Sequence, residues 1–328
     1  MNKRKRVLSG IQPSGTIHIG NYFGAVENWV RLMKDYDCFF TIVDLHAITV
    51  AYEPSLLQQR IWDAVLDNMA AGLDPDKCTI FIQSHVPEHT ELCWLLNCVT
   101  PLGELGRMTQ FKEKSERERE NVTAGLLNYP ILQAADILIY KADAVPVGED
   151  QAQHLEFARE VARRFNGRFG HHFPEPATLI GRAARVMGLD GGSKMSKSMD
   201  NVIGVAEAPD AIWEKLRPAK TDEARKRRSD PGDPERCNIF SYHKLVTPEA
   251  GIREVVKGCT GATIGCIDCK KILFENLMRV LDPIRERRQA LEKDPDRVRE
   301  ALREGARKAR AIARETLDGA KRLMGLLG

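Results

Sequence analysis

The first half of the chain alternates short apolar runs with stretches of helical periodicity, and this alternation limits the fold more than any other feature. The runs Cys-Phe-Phe-Thr-Ile-Val at 38–43 and Thr-Ile-Phe-Ile at 79–82 are typical of buried strands. Between them, Glu53-Pro54-Ser55 predicts a helix start and Gly72 predicts its end. Strands joined through helices predict an α/β fold with a doubly wound parallel sheet.

The composition changes near residue 200. A turn-rich stretch at 220–234 leads into segments of helical periodicity from Ile239 onward, and 328 residues are enough for two domains. We therefore expect an α/β domain at 1–200 and a mainly helical domain at 201–328. Between 285 and 322, 13 Lys and Arg stand against 8 Asp and Glu. This local basic excess favours contact with nucleic-acid phosphates, and an ordinary solvated helix face is the alternative.

Composition excludes several classes of protein. With 43% hydrophobic and 29% charged residues, the chain can bury a large core and is not a disordered protein. Its formal net charge of +3 leaves any nucleic-acid surface to local clustering. Eight cysteines are too few for a disulfide scaffold, and we find neither a signal-peptide core nor a run of about 18 apolar residues. We expect a cytoplasmic protein that does not enter membranes.

A glycine-containing turn separates the first strand from the helical stretch at 22–33. It reads Pro-Ser-Gly-Thr-Ile-His-Ile-Gly-Asn at 13–21. Gly15 and Gly20 permit close approach of the backbone to a phosphate, and helix-start amides can meet phosphate oxygens. His18 can donate a hydrogen bond to charge that develops on a phosphoryl group. Alone, such a turn is equally compatible with a purely structural role.

A second motif, Lys-Met-Ser-Lys-Ser at 194–198, follows the hinge-like Gly191-Gly192-Ser193. Two lysines three residues apart on such a loop can close on a triphosphate, and their charges would neutralise a departing pyrophosphate. A solvated basic loop is the alternative. Together with the first turn, the motif favours a nucleotide site.

Six further stretches accompany these motifs, at 9–15, 43–49, 83–89, 103–110, 129–136 and 147–151. With them the chain resembles the class I aminoacyl-tRNA synthetases, and within them the bacterial-type tryptophanyl-tRNA synthetases, over almost its whole length. The resemblance implies a Rossmann-like catalytic domain at 1–200 and a helical anticodon-binding domain at 201–328. It implies activation of L-tryptophan with ATP to tryptophanyl-adenylate, release of pyrophosphate and transfer to tRNA(Trp), by a homodimer whose subunits the tRNA spans.

The resemblance also assigns residues to each substrate. His18, Lys194 and Lys197 would be catalytic, with Mg²⁺ at the pyrophosphate and Lys112 or Lys114 nearby. ATP would be bound by Gln12, Pro13, Ser14, Gly20, Asn21, Gly148, Glu149, Asp150, Val186, Lys194, Met195, Ser196, Lys197 and Ser198. Asp136 would accept the indole N–H of tryptophan, because a buried acceptor rejects ligands that lack the donor. Tyr129, Gln133, His46, Gln151 and His154 would surround the rest of the amino acid.

Three alternatives stay open at the level of the sequence. The pattern Tyr129-x₃-Gln133-x₂-Asp136 also resembles tyrosyl-tRNA synthetases, since many tryptophanyl enzymes carry Met where this chain has Gln133. The length favours tryptophan, because tyrosyl enzymes are usually longer. An adenylyltransferase acting on a small acceptor would use the same two motifs without a second domain. An iron–sulfur protein that binds tRNA without catalysis would not need His18 and both lysines intact.

Four cysteines, Cys237, Cys259, Cys266 and Cys269, form the pattern C-x₂₁-C-x₆-C-x₂-C. Thiolates at such spacing suit Zn²⁺ or an iron–sulfur cluster. A subset of the bacterial tryptophanyl enzymes carries a 4Fe-4S cluster at a similar pattern, with a first spacer one residue longer, so the resemblance favours 4Fe-4S over Zn²⁺. We expect the other four, Cys38, Cys78, Cys93 and Cys98, to lie in the core.

Overall fold

The computed structural model describes residues 4–117, 122–148, 151–180, 186–196 and 199–327. Five strands, β1 (Arg6–Ile11), β2 (Asp37–Ile42), β3 (Thr79–Ile82), β4 (Ala144–Val147) and β5 (Ala177–Ile180), form one parallel sheet in the order β3-β2-β1-β4-β5. The chain therefore starts at the centre, builds outward to β3, and then crosses to β4 and β5. In such sheets ligands bind outside the carboxyl ends of the strands where the order reverses, here between β1 and β4. The predicted doubly wound α/β fold is confirmed.

Helices connect the strands and cover both faces of the sheet. The helices of the first half are α1 (Ile19–Asn21), a π-helical turn (Tyr22–Val26), α2 (Glu27–Leu32), α3 (Asp44–Ala47), α4 (Pro54–Ala70), α5 (Glu88–Asn97), α6 (Leu102–Leu105), α7 (Thr109–Arg117), α8 (Ala124–Ile139) and α9 (Ala152–Phe169). Helix α4 confirms its sequence signals: the Glu53 side chain accepts from Ser55 N–H, and Gly72 follows at φ +118°.

Five helices follow residue 200: α10 (Pro209–Leu216), α11 (Asn238–Val246), α12 (Glu249–Thr260), α13 (Cys266–Lys293) and α14 (Pro295–Leu323). The predicted helical character of this half is confirmed. The last two helices return to the sheet, with α13 packed on α4 and α14 packed on β3 and α5. A Cβ atom at Gly305 of α14 would lie 1.9 Å from the Ile80 carbonyl oxygen, so only glycine permits this approach. A domain boundary near residue 200 stays a prediction.

Successive residues of the strands face opposite sides of the sheet and enter two separate cores. Phe40 and Ile80 pack among residues of α2, α4 and α13. Phe39 and Phe81 pack among residues of α5, α8, α9 and α14. This two-sided burial explains why the strands read as continuous apolar runs rather than as alternating ones.

The expected core position of the second cysteine group holds only in part. Cys38 and Cys78 are buried, whereas Cys93 is half-buried and Cys98 is exposed. The prediction was wrong for Cys98 because it ends α5 on the same outer face as the exposed Trp94, four residues before it. Among the described residues, no helix combines the length and the apolar character needed to cross a membrane.

Candidate active site

A cavity of about 520 Å³ opens at the carboxyl ends of β1, β2 and β4. It lies at the reversal of strand order, where this fold binds ligands. Seven of the residues predicted to bind a substrate line it: Gln12, His46, Tyr129, Gln133, Asp136, Gly148 and Gln151. Residues that lie more than 130 positions apart in the sequence therefore meet in one cavity.

Asp136 lies on α8 at the inner end of the cavity and is only 3% exposed. Its carboxylate is 2.8 Å from His46 Nε2 and 2.6 Å from His89 Nδ1, and it accepts from Gln83 Nε2 at 2.8 Å. Burial alone would raise the pKa of Asp136, but the hydrogen bonds from both histidines lower it to about 2. Asp136 is therefore a buried anion surrounded by donors.

His89 and Gln83 were not singled out as site residues by the sequence. An ionised Asp136 accepts only, so His89 Nδ1 donates to it, and His89 Nε2, 2.7 Å from the Tyr140 hydroxyl, then accepts from that group in the neutral ring. Burial raises the pKa of Tyr140 well above its usual range and keeps it a donor. Both residues lie in the stretch 83–89, one of the six that carry the family resemblance, and this was the available signal. His85, in the same stretch, is exposed on the short turn Gln83–His85.

Tyr129 forms the side wall of the cavity. Its hydroxyl is 3.0 Å from His154 Nε2, and burial raises its pKa to about 12. The Lys114 ammonium, from the highly charged α7, lies 4.3 Å from the centre of the Tyr129 ring, and burial lowers the pKa of this lysine. Gln133 Nε2 donates to Gln151 Oε1 at 3.3 Å. The residues predicted around the amino acid thus lie together.

The turn at 13–21 adopts a defined helix start. The His18 and Asn21 side chains bond reciprocally to each other's backbone N–H groups, each at 3.3 Å. A Cβ at Gly20 would lie 2.8 Å from His18 Nδ1, so a larger residue would displace the imidazole. Three other residues of this segment were predicted to bind ATP. Pro13 is buried, whereas Gln12 and Ser14 are exposed.

The second motif forms a short hairpin beside this turn. Met195 N–H donates to the Val186 carbonyl at 3.0 Å, and Met187 and Lys194 are bridged. Asn201, which the sequence did not single out, ties the hairpin together by accepting from Ser196 N–H at 2.8 Å and donating to Asp190 at 3.0 Å. A Cβ built on Gly20 would lie 3.4 Å from Met195 Cβ, so the two motifs adjoin.

Lys194 is exposed on the hairpin, and Gly148 is half-buried at the end of β4. Four residues predicted to bind ATP, Glu149, Asp150, Lys197 and Ser198, lie outside the described residues.

The four cysteines of the second half come from the start of α11, the end of α12 and the first turn of α13. Burial and the thiols of Cys237, Cys259 and Cys266 raise the pKa of Cys269 to about 12, so the four groups interact electrostatically. Arg225 Nη1 lies 3.9 Å from Cys259 Sγ, and His243 Nε2 lies 3.3 Å from Cys269 Sγ. Within the described part of the chain, no three His, Cys, Asp or Glu side chains are grouped to hold a single metal ion.

The basic residues of α14 are largely compensated by acidic neighbours one turn earlier. The pairs Arg299–Asp296, Arg303–Glu300 and Arg307–Glu304 are exposed ion pairs. Such pairs contribute little to stability and exchange readily for other partners. Contact of these helices with tRNA phosphates stays a prediction.

The chain matches the family model described as "tRNA synthetases class I (W and Y)" over residues 1–282. It is 54% identical to a tryptophan–tRNA ligase of Deinococcus radiodurans over 98% of this chain and 99% of the relative. It is 44% identical to a tryptophan–tRNA ligase of Thermotoga maritima over the same shares. The structure is similar to a tryptophanyl-tRNA synthetase of Campylobacter jejuni complexed with ADP and tryptophan, with a TM-score of 0.90, 36% identity, and coverage of 98% of this chain and 100% of that one.

Proposed function

The chain belongs to the class I tRNA synthetases of the tryptophan and tyrosine family, and from this premise we propose how its residues divide the work between tryptophan, ATP and tRNA. It is an ATP-dependent aminoacyl-tRNA ligase for tryptophan, since relatives with this activity match it end to end. This confirms the tryptophan assignment over the tyrosine and small-acceptor alternatives. We propose that it acts in the cytoplasm.

Recognition of tryptophan rests on Asp136. A buried carboxylate at the inner end of the cavity can accept the indole N–H, and Tyr129 supplies an aromatic wall for the ring. A ligand without the N–H would leave an ionised group buried without that partner, which is costly. His46, Gln83 and His89 would keep the carboxylate ionised and oriented.

Activation of tryptophan requires its carboxylate oxygen to attack the α-phosphorus of ATP while pyrophosphate leaves. ATP enters as its Mg²⁺ complex, which offsets part of the phosphate charge. His18 Nδ1 accepts from Asn21 N–H, so the ring proton is on Nε2, where it can donate to a phosphate oxygen. Lys194, with Lys197, would neutralise the departing pyrophosphate. In the second step the terminal ribose hydroxyl of tRNA attacks the acyl carbon and AMP leaves.

The decisive experiment is amino-acid-dependent exchange of radiolabelled pyrophosphate into ATP, followed by charging of tRNA with labelled tryptophan. Exchange with tryptophan and charging of tRNA(Trp) are expected. Exchange with tyrosine alone would refute the amino-acid assignment, and exchange without charging would indicate a small-acceptor adenylyltransferase.

We propose that Cys237, Cys259, Cys266 and Cys269 bind a 4Fe-4S cluster with a structural role near the anticodon. Four thiols interact in one region, and a Cβ at Gly232 would lie 2.6 Å from Cys259 Sγ, so a glycine keeps this sulfur accessible. Arg225 lies beside the Cys259 thiol, and Lys270 interacts electrostatically with the other three thiols, so both cations would offset the negative charge of a thiolate-bound cluster.

Absorption of anaerobically purified protein tests the cluster. A broad band near roughly 400 nm with about four irons per chain is expected for a 4Fe-4S centre with four cysteine ligands. Zinc instead of iron in a metal analysis would show that the four cysteines bind Zn²⁺. Cys266→Ser should remove the band and leave tryptophan binding, which lies in the other half of the molecule, unchanged.

We propose a homodimer with the tRNA spanning both subunits. Trp94 of α5 and Leu102 of α6 are 69% and 71% exposed, and large apolar side chains exposed to this extent are typical of a surface that a second copy would cover. Analytical ultracentrifugation should give a dimer, and Trp94→Glu should weaken it. A monomer at micromolar concentration would contradict the proposal.

A further inference from the structure

A buried ion pair joins the C-terminal helices to the nucleotide turn. Asp67, on α4, is fully buried. One of its carboxylate oxygens accepts from the backbone N–H of Ile17 at 2.7 Å, and the other accepts from Arg288 of α13. Arg288 also donates to Asp63 at 2.6 Å. A contact thus runs from α13 through α4 to the residue before His18.

The turn is fixed on its other side by the segment that follows the second motif. Val205 N–H donates to the Ile17 carbonyl, and Ile19 N–H donates to the Ile203 carbonyl, each at 2.9 Å. The Ile17 and Ile19 side chains are both buried. The backbone from 17 to 19 is therefore held between Asp67 on one side and residues 203–205 on the other, and His18 lies at its centre.

We propose that Asp67 is a positioning residue for ATP and that Arg288 holds the Asp67 carboxylate in place. The ATP site would then depend on how α13 packs against α4. A buried carboxylate is costly unless it is paired, and Arg288 supplies that pair. Ile17 N–H then has a charged acceptor that fixes the position of the backbone next to His18. A displacement of about 1 Å in such a group is enough to reduce catalysis strongly. This inference rests on the proposed role of the turn in binding ATP.

Asp67→Asn tests the link with almost no change in volume. The amide has one oxygen, so its NH₂ group must face either Ile17 N–H or the Arg288 guanidinium, both of which are donors. In pyrophosphate exchange, we expect KM for ATP to rise about tenfold and kcat to fall, as for loss of a charge-assisted hydrogen bond. KM for tryptophan should change less than about twofold, because Asp136 does not contact this network.

Arg288→Ala should reproduce the effect on KM for ATP, and the double variant should be no worse than the more affected single variant, since both act on the turn through the Asp67–Arg288 ion pair. Arg288→Lys keeps the positive charge, so its KM for ATP should lie closer to that of the unmodified protein than to that of Arg288→Ala. This variant keeps the proposal testable if the other variants fold poorly. Arg310→Ala is the matched control. Arg310 of α14 forms its ion pair with the buried Glu88 on α5 and not with α4 or the turn, so KM for ATP should stay unchanged.

A lowered melting temperature with KM for ATP unchanged in both Asp67→Asn and Arg288→Ala would overturn the inference and leave only a structural role. Equal rises in KM for ATP in these variants and in Arg310→Ala would overturn it too. Absence of tryptophan-dependent exchange in the unmodified protein would instead refute the proposed function.

Discussion

The two proposed substrate sites of this protein are built in opposite ways. The tryptophan cavity places its charge deep inside, with Asp136, His46 and His89 all buried and each histidine bonded to the Asp136 carboxylate. The proposed nucleotide site has its polar groups outside, with the charged Lys194 exposed on a hairpin and the neutral Gln12 and Ser14 exposed on the turn. The first set of groups is buried and hydrogen-bonded within the protein, whereas the second is open to solvent.

The difference follows from what each ligand requires. Tryptophan is largely apolar and differs from competitors by a single N–H, so selectivity needs a fixed, desolvated acceptor. The triphosphate is highly charged and must leave as pyrophosphate, so it needs cations that remain solvated and mobile. Variants in the cavity should therefore alter KM for tryptophan, and variants in the hairpin should alter kcat or KM for ATP.

The largest effect is expected for Asp136→Asn. Its NH₂ group would face donors of His46, Gln83 or His89, and the charge that attracts the indole N–H would be lost. We expect kcat/KM for tryptophan to fall about 100- to 1000-fold. KM for ATP, measured in the same exchange assay, should change less than about twofold, and unchanged tryptophan kinetics would remove the role assigned to Asp136.

Lys194→Ala should lower kcat for exchange about 100-fold, because a cation that neutralises the departing pyrophosphate is lost. Its exposed position predicts no loss of thermal stability. Binding of tryptophan, measured by calorimetry, should be unaffected. The matched control is Lys220→Ala, a neighbouring lysine paired with Glu223, and equal losses of kcat in both variants would contradict the assignment.

The charge of Asp136 should also be visible in the pH dependence of stability. Its pKa is lowered in the fold from 3.8 to about 2, so its ionised form stabilises the protein fully above about pH 4, and this contribution is lost as the pH falls towards 2. The shift corresponds to about 2 kcal/mol. Urea unfolding between pH 2 and 6 should show this component in the unmodified protein and not in Asp136→Asn. If the free energy of unfolding depended on pH in the same way in both proteins, the Asp136 charge would not be buried as described.

The smallest effect is expected for Tyr242→Phe. The Tyr242 hydroxyl donates to the Met187 carbonyl at 2.6 Å and so holds the base of the hairpin to α11. Its loss should reduce the free energy of unfolding by about 1 kcal/mol and raise KM for ATP about threefold. Tyr52→Phe, at an exposed tyrosine, is the control. A change in KM for tryptophan with KM for ATP unchanged would contradict the proposal that the hairpin serves ATP and not tryptophan.

The sequence predicted the class of fold because its signals are local. Apolar runs of strand length and the start and stop residues of α4 depend on neighbours along the chain, and the structure confirms them. Cys98 was misplaced because a helix has an outer face that an apolar neighbourhood in the sequence does not reveal. The return of α14 to β3 depends on Gly305, whose missing side chain carries no signal of its distant partner.

By itself, the sequence predicted which residues carry the chemistry, namely Asp136, His18 and the lysine motif, because these occur in stretches with recognisable spacing. Only the tertiary structure decided what makes them effective. Gln83 and His89 become partners of Asp136, and Arg288 becomes a partner of Asp67, through contacts between residues 47 to 221 positions apart. Burial strengthens those contacts by removing water, and burial is set by the packing of the whole chain rather than by any local pattern.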